Sequence, residues 1–269
     1  MIKVNPNKAI FNIFENKLEV KYVFQSMIEG NTPCEVYIDD EVNPSIMVIW
    51  DTKNTFYFGE NNATADEKKK AIEFIRKEII YKDDKKKLEI GKLYYSSPVW
   101  KDFLIELFNN NEPRVFQRHL YKHSGKLNTN IILDPSVKII EITKDILNND
   151  SLENISELID EIRGMWGTKE AFLNEGFGYC TIVNDNTIAG WCTAEYMSES
   201  SCGCGVETIE EYQRKGYATI MATKMAGRAN ELSLDLYWDS WSWNEGSVKT
   251  AEKSNYNHIT DYEVLFVEL

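Results

Sequence analysis

The chain is expected to be an α+β protein, with a mixed, mostly antiparallel sheet flanked by helices over residues 130–269 and a smaller α/β domain before it at residues 1–129. Three observations lead there. The second half reads as β-α-β-β-β-α-β-α-β. The first half has its own group of β-branched and aromatic runs and its own capped helix. Between the halves, residues 122–134 (KHSGKLNTNIILD) form a polar stretch where the charge balance changes sign, and the domain boundary is placed at about 125–135.

In the first half, residues 34–39 (CEVYID), 45–50 (SIMVIW) and 55–58 (TFYF) are strand-like runs separated by acidic, Asn and Pro turns. Thr64 and Glu67 then have the spacing of a capping box, followed by Ala71, Ile72, Phe74, Ile75 and Ile79 at helical intervals. Residues 82–87 (KDDKKK) read as a solvated connector, 97–108 as a second helix, and 115–121 as a strand. In the second half, 137–142 is a strand. A helix capped by Asp150 or Ser151 follows, with Leu152, Ile155, Leu158, Ile159 and Ile162 on one face. Residues 177–183 and 188–196 make a hairpin across an Asn-Asp-Asn-Thr turn. Then come a strand at 202–209, a helix at 216–231, a strand at 234–238, a short helix at 246–253 and a closing strand at 262–269. The sequence has no repeat with a 20–50-residue period.

Composition narrows the function classes. The chain has 269 residues, 43% hydrophobic and 27% charged, which is the balance of a globular protein. Its uninterrupted apolar runs reach about five residues, against the roughly 20 a membrane helix needs, and residues 1–14 lack the cationic head and apolar block of a signal peptide. Five cysteines, an odd number, point to free thiols in a reducing cytoplasm. The net charge of −13 is unevenly placed. Residues 1–129 carry 20 Lys/Arg against 19 Asp/Glu, whereas residues 130–269 carry 10 against 24. Nucleic-acid binders present a basic face. An acidic half argues against nucleic acid and anionic membrane as partners.

The chemistry-bearing motif is GVETIEEYQRKGYA at residues 205–218. Gln213, Gly216 and Ala218 fit Q/R-x-x-G-x-G/A between a strand and a helix. Free amides converge at such a helix start, and small residues admit a pyrophosphate. Arg214 and Lys215 add positive charge, and Tyr217 completes the loop.

With the segment at 244–256 (NEGSVKTAEKSNY), this half resembles the GNAT superfamily of N-acetyltransferases, more narrowly a small bacterial branch with an extra N-terminal domain. The resemblance covers about residues 135–269. It implies acetyl-CoA as acyl donor and no metal. Val206 and Thr208 would lie along pantetheine, residues 213–218 would hold the pyrophosphate, and Asn244, Ser247 and Lys253 would complete the cofactor site. Two positions depart from the family: its frequent thiolate-protonating Tyr falls on Ala251, and its usual Gly on Asn255. A thiol of pKa about 8.5 leaves tolerably without a positioned acid. Ser247, Tyr256 or water remain as substitutes.

Strand alternation puts Val206 and Thr208 on one face and Glu207 on the other. Glu207 is the candidate general base, with Glu195 and Glu199 in reserve. Trp241 and Trp243, with Glu195, are candidate acceptor-binding residues, while Trp238 reads as core. Cys180, Cys192, Cys202 and Cys204 contain no C-x-x-C and read as small buried thiols. His119 and His123 lack a third metal ligand. The expected function is direct transfer of an acetyl group from acetyl-CoA to a primary amine of a small molecule, in the cytoplasm. The acidic half favours a cationic acceptor such as a polyamine, an amino-sugar or an amine-bearing antibiotic. The alternative is a degenerate, non-catalytic CoA-binding, sensing or scaffold module. The first domain is expected to be a degenerate copy of the same plan, covering one side of the acceptor cleft without binding CoA.

Overall fold

A computed structural model describes residues 1–82, 85–127 and 134–269. The chain divides into two compact units: Met1–Arg118 with Asp261–Leu269, and His119–Thr260. The boundary expected at 129/130 therefore lies inside the second unit, and the last nine residues belong with the first.

In the first unit, β1 (Ile2–Val4), α1 (Lys21–Ile28), β2 (Glu35–Ile38), β3 (Ile46–Trp50) and β4 (Thr55–Glu60) precede α2 (Ala65–Ile75). β5 (Ile90–Tyr95), α3 (Pro98–Leu107) and β6 (Arg114–His123) follow, the last crossing into the second unit. The strands pair in the order β1-β2-β3-β4-β5, antiparallel except for parallel β4 and β5. Residues 265–268 then pair antiparallel with β5, Leu265 opposite Leu93. Ile46, Met47, Val48 and Ile49 all have 0% exposure, because both faces of β3 are covered. Ala71, Ile72 and Ile75 of α2 pack on Phe56, Phe58, Trp100 and Leu104.

The Thr64–Glu67 capping box is present: Thr64 Oγ1 accepts from the Glu67 amide at 3.3 Å and the Glu67 carboxylate accepts from the Thr64 amide at 2.7 Å. After Ile75 the helix widens into a π turn over Arg76–Ile80, which buries the adjacent Ile79 and Ile80 together. Of the connector expected at 82–87, residues 83 and 84 lie outside the described residues, and Tyr81–Lys82 pairs with Lys85–Lys86 in a short ladder. Ser97 caps α3, with Pro98 in its first turn. The sequence reading missed α1 and β5, both short.

In the second unit, β7 (Val137–Glu141) is followed by α4 (Ile155–Trp166), α5 (Lys169–Glu175), β8 (Gly178–Val183), β9 (Thr187–Glu195) and β10 (Ser201–Thr208). α6 (Tyr217–Glu231), β11 (Asp235–Trp241), α7 (Glu245–Lys253) and β12 (Tyr256–Glu268) complete the chain, β12 running on into the first unit. The pairing order is β7-β8-β9-β10-β11, antiparallel except for the parallel β10 and β11. Each unit thus has the same five-strand plan and the same senses, with one helix between the fourth and fifth strands.

α4 is not capped by Asp150 or Ser151. Its N-cap is Asn154, in a left-handed conformation. Ser151 Oγ is bonded to Asn149 Oδ1 at 2.6 Å, and the Glu153 amide and carbonyl are bonded to Asn186 and Ile188. The segment before the helix is held by the hairpin instead. The short helix α5 also escaped the sequence reading, and β12 starts at Tyr256 rather than at 262. No helix among the described residues is long and apolar enough to cross a membrane.

Candidate functional site

β10 is the strand from which the site is built. Its even-numbered residues Cys202, Cys204 and Val206 turn toward α6 and pack with Cys192, Ala194, Met221, Met225 and Trp238. Its odd-numbered residues, Gly203, Gly205 and Glu207, turn to the opposite face, and Glu207 is exposed, opposite Trp191 of β9. The alternation expected for Val206 and Glu207 is present.

β10 and β11 begin as neighbours and then part. Ser201, Cys202 and Gly203 pair with Asp235, Leu236 and Tyr237. Beyond that point β10 continues to Thr208 and β11 to Trp241 without a ladder between them. The edge of β10 that faces the fork therefore has backbone donors and acceptors outside the sheet's own pairing, as an extended ligand requires.

The loop after β10 leads to the start of α6. Gln213 Nε2 donates to the Thr208 carbonyl at 3.1 Å and ties the loop back to the strand. Gln213, Arg214, Lys215 and Gly216 are exposed, while Tyr217 is buried and Ala218 half-buried. Gly216 has φ 85° and is the N-cap of the 15-residue helix; a Cβ there would meet nothing within 4 Å. Arg214 is also left-handed, at φ 61°. With no capping side chain, the first amides of α6 point to the outside at the positive end of its dipole. Lys215 Nζ lies 4.8 Å from the Tyr212 ring centroid, which holds its charge beside the loop. An open helix start, two flanking cations and a parted strand edge fit a diphosphate with an extended arm.

The other expected cofactor residues are engaged in structure. Asn244 Oδ1 accepts from the Ser247 amide at 3.1 Å and caps α7, and Ser247 Oγ accepts from Trp238 Nε1 at 3.0 Å. Lys253 is exposed at the end of α7. Ala251 is fully buried in the core, so nothing at this position reaches the strand edge. Asn255 has φ 63°, so the left-handed turn that a glycine would adopt easily is kept by the residue type that tolerates it next best. Tyr256 is buried, and burial and the neighbouring Cys204 and Cys192 thiols hold its pKa well above the usual phenol value.

On the face away from α6, register and alternation align Glu195, Glu207, Tyr237, Asp239 and Trp241. Glu195 is half-buried, and Glu199 is exposed in the loop after β9. Trp241 and Trp243 stack with ring centroids 6.3 Å apart and an interplanar angle of 9°, and Trp243 is 64% exposed. A broad aromatic surface thus borders an acidic face.

Two glycines were not recognised from sequence. At Gly190 a Cβ would lie 2.5 Å from the Glu207 carbonyl oxygen. At Gly205 it would lie 2.0 Å from a Glu195 carboxylate oxygen. A glycine inside a strand, the usual mark of a close approach, was the available signal. Cys192 and Cys204 are 3.1 Å apart at sulfur, whereas Cys180 packs on the opposite face of the sheet with α4, its thiol pushed up to about 12 by burial.

A family model described as GNAT acetyltransferase matches residues 8–265, spanning both units. An uncharacterized N-acetyltransferase of Bacillus subtilis, YdfB, is 21% identical over 259 residues, covering 96% of this chain and 94% of the relative. Among solved structures, a GCN5-related N-acetyltransferase-like protein from Streptococcus suis superposes with a TM-score of 0.69 at 17% identity, over 97% of each chain. A tandem GNAT protein from the clavulanic acid biosynthesis pathway gives 0.57 at 9% identity, over 99% of this chain and 97% of that one.

Proposed function

The chain belongs to the GNAT acetyltransferase family, and on that premise we propose that its second unit transfers an acetyl group from acetyl-CoA directly to a primary amine of a small molecule. The observation that carries the reading is the pairing of an uncapped α6 start at Gly216 with the unpaired β10 edge. Acetyl-CoA, when bound, supplies an activated thioester. The first amides of α6, with Gln213, Arg214, Lys215, Gly216, Tyr217 and Ala218, hold its pyrophosphate. Val206 and Thr208 offer backbone groups to its pantetheine arm and to the thioester carbonyl. Lys253 adds charge, while Asn244 and Ser247 act by fixing the start of α7 and the Trp238 ring.

Glu207 takes the amine proton, directly or through water, from the face opposite α6. Glu195, Asp239 and the Trp241–Trp243 stack favour a cationic acceptor, attracted by the carboxylates and held over a ring. The leaving thiolate needs no positioned acid.

The test is thiol release from acetyl-CoA across a panel of neutral, anionic and cationic amines. Release confined to cationic amines supports the full reading. Release with neutral or anionic amines alone removes the acceptor assignment. Binding of acetyl-CoA without release from any amine transfers the protein to the non-catalytic CoA-binding class, which buried Ala251 would then explain.

A further inference from the structure

We infer that acyl-CoA binds one unit only, because the first unit keeps the five-strand plan of the second but fills the equivalent ligand place with its own side chains. This rests on the reading of the second unit given above.

Three differences separate the copies. The first is the fork. In the second unit the parallel pair is held over three positions and then parts. In the first unit the corresponding pair, β4 and β5, stays together from Thr55–Lys92 to Phe58–Tyr95. Tyr57 and Tyr94 close it further, with ring centroids 4.8 Å apart. Backbone groups already bonded across a ladder are not available to an extended arm.

The second is the helix start. α6 begins at a glycine with no capping side chain, but α2 begins at Thr64, whose side chain and amide are both committed to Glu67. The box also places a carboxylate where a phosphate would need to sit. Glu67 is held ionised below the usual carboxylate range by those hydrogen bonds, so the place is already occupied by an anion.

The third is a charge locked inside. Lys68 is 4% exposed, paired with the Glu60 carboxylate, and its ammonium lies 5.4 Å from the Trp100 ring centroid. Glu60 also accepts from Ser97 Oγ. The lysine adjoining the helix start is therefore neutralised within the unit rather than presented to a ligand. In the second unit, Arg214 and Lys215 at the corresponding turn are exposed.

Hydrogen exchange of the intact chain, with and without saturating acetyl-CoA, locates the ligand directly. Protection is expected at residues 204–208 and 213–220, with no change at residues 55–68. Equilibrium dialysis is expected to find one acetyl-CoA per chain, and none for Gly216→Glu. A Lys215→Glu variant, which leaves the glycine in place, is expected to weaken binding at least tenfold and so guards against misfolding of the first variant. Two equivalents per chain, or protection at residues 55–68 beside that at the second unit, would overturn this inference while leaving the acyltransferase reading intact, whereas one equivalent retained by Gly216→Glu would overturn both. No bound acetyl-CoA at all would overturn both.

Discussion

The carboxylate of Glu195 lies in the space that a side chain at Gly205 would take: an added Cβ would sit 2.0 Å from Oε1. The strand bearing the candidate base has two glycines on this face, Gly203 and Gly205, and a carboxylate from its neighbour lies across the second. Gly205→Ala is expected to push Glu195 aside and raise KM for the amine several-fold, with KM for acetyl-CoA nearly unchanged. Steady-state kinetics with each substrate varied in turn decides this; equal effects on the two would disconnect Glu195 from the acceptor.

Glu207→Gln is expected to lower kcat by about 10²–10⁴, the usual range for loss of a general base. Affinity for acetyl-CoA should be preserved, since the side chain faces away from α6 and its loop. The pH–rate profile should change with it. A profile identical to wild type would pass the role to Glu195, Glu199 or water.

Acetyl-CoA should stabilise the folded chain through mass action, by about 2.7 kcal/mol at a hundredfold excess over Kd, and so raise Tm. Arg214 and Lys215 stand at the mouth of the loop in solvent, so this stabilisation should weaken with salt as the Debye length shortens to about 3 Å at 1 M. If the acceptor is cationic, kcat/KM for it should also fall with salt; a flat response would remove the steering role of the acidic face.

The capping box makes a stability prediction for the first unit. Thr64→Ala removes the cap of α2 and should cost about 1 kcal/mol in chemical unfolding. Its pH dependence follows from Glu67, whose pKa is lowered by its bonds to Thr64. Glu263 is lowered as well, chiefly by Lys101. Carboxylates with depressed folded pKa values stabilise above the unfolded value near 4.5, and that stability is lost as pH falls through the folded values. The first unit should thus weaken below about pH 4.5, with Thr64→Ala flattening the slope. An unaltered acid transition in that variant would refute the account.

The order of the strands and of the two longer helices in the second half was legible because apolar residues recur there at strand and helix spacing and the turns carry Asn, Asp and Gly. The helix start at Gly216 and the alternation around Glu207 followed from local pattern. Other features depend on contacts distant in sequence and left no local mark. The cap at Asn154 arises because the hairpin residues Asn186 and Ile188 take hold of Glu153. The fork between β10 and β11 is a property of a strand pair, legible in neither strand alone. That the two units share a five-strand plan was hinted at by element order around Thr64, but their sequences give no periodic signal, since matching positions need only share burial and sense.

Residues 261–269 belong to the first unit, where they pair with β5. During synthesis from the N-terminus, β5 must wait with one edge open while the whole of the second unit is made. The first unit, although translated first, is completed only by the last nine residues of the chain. Until residues 265–268 arrive, this edge of β5 is without the strand that pairs with it, and Leu93 is without its neighbour Leu265. A chain ending before residue 261 would accordingly lack a strand of its first unit, the one made earliest.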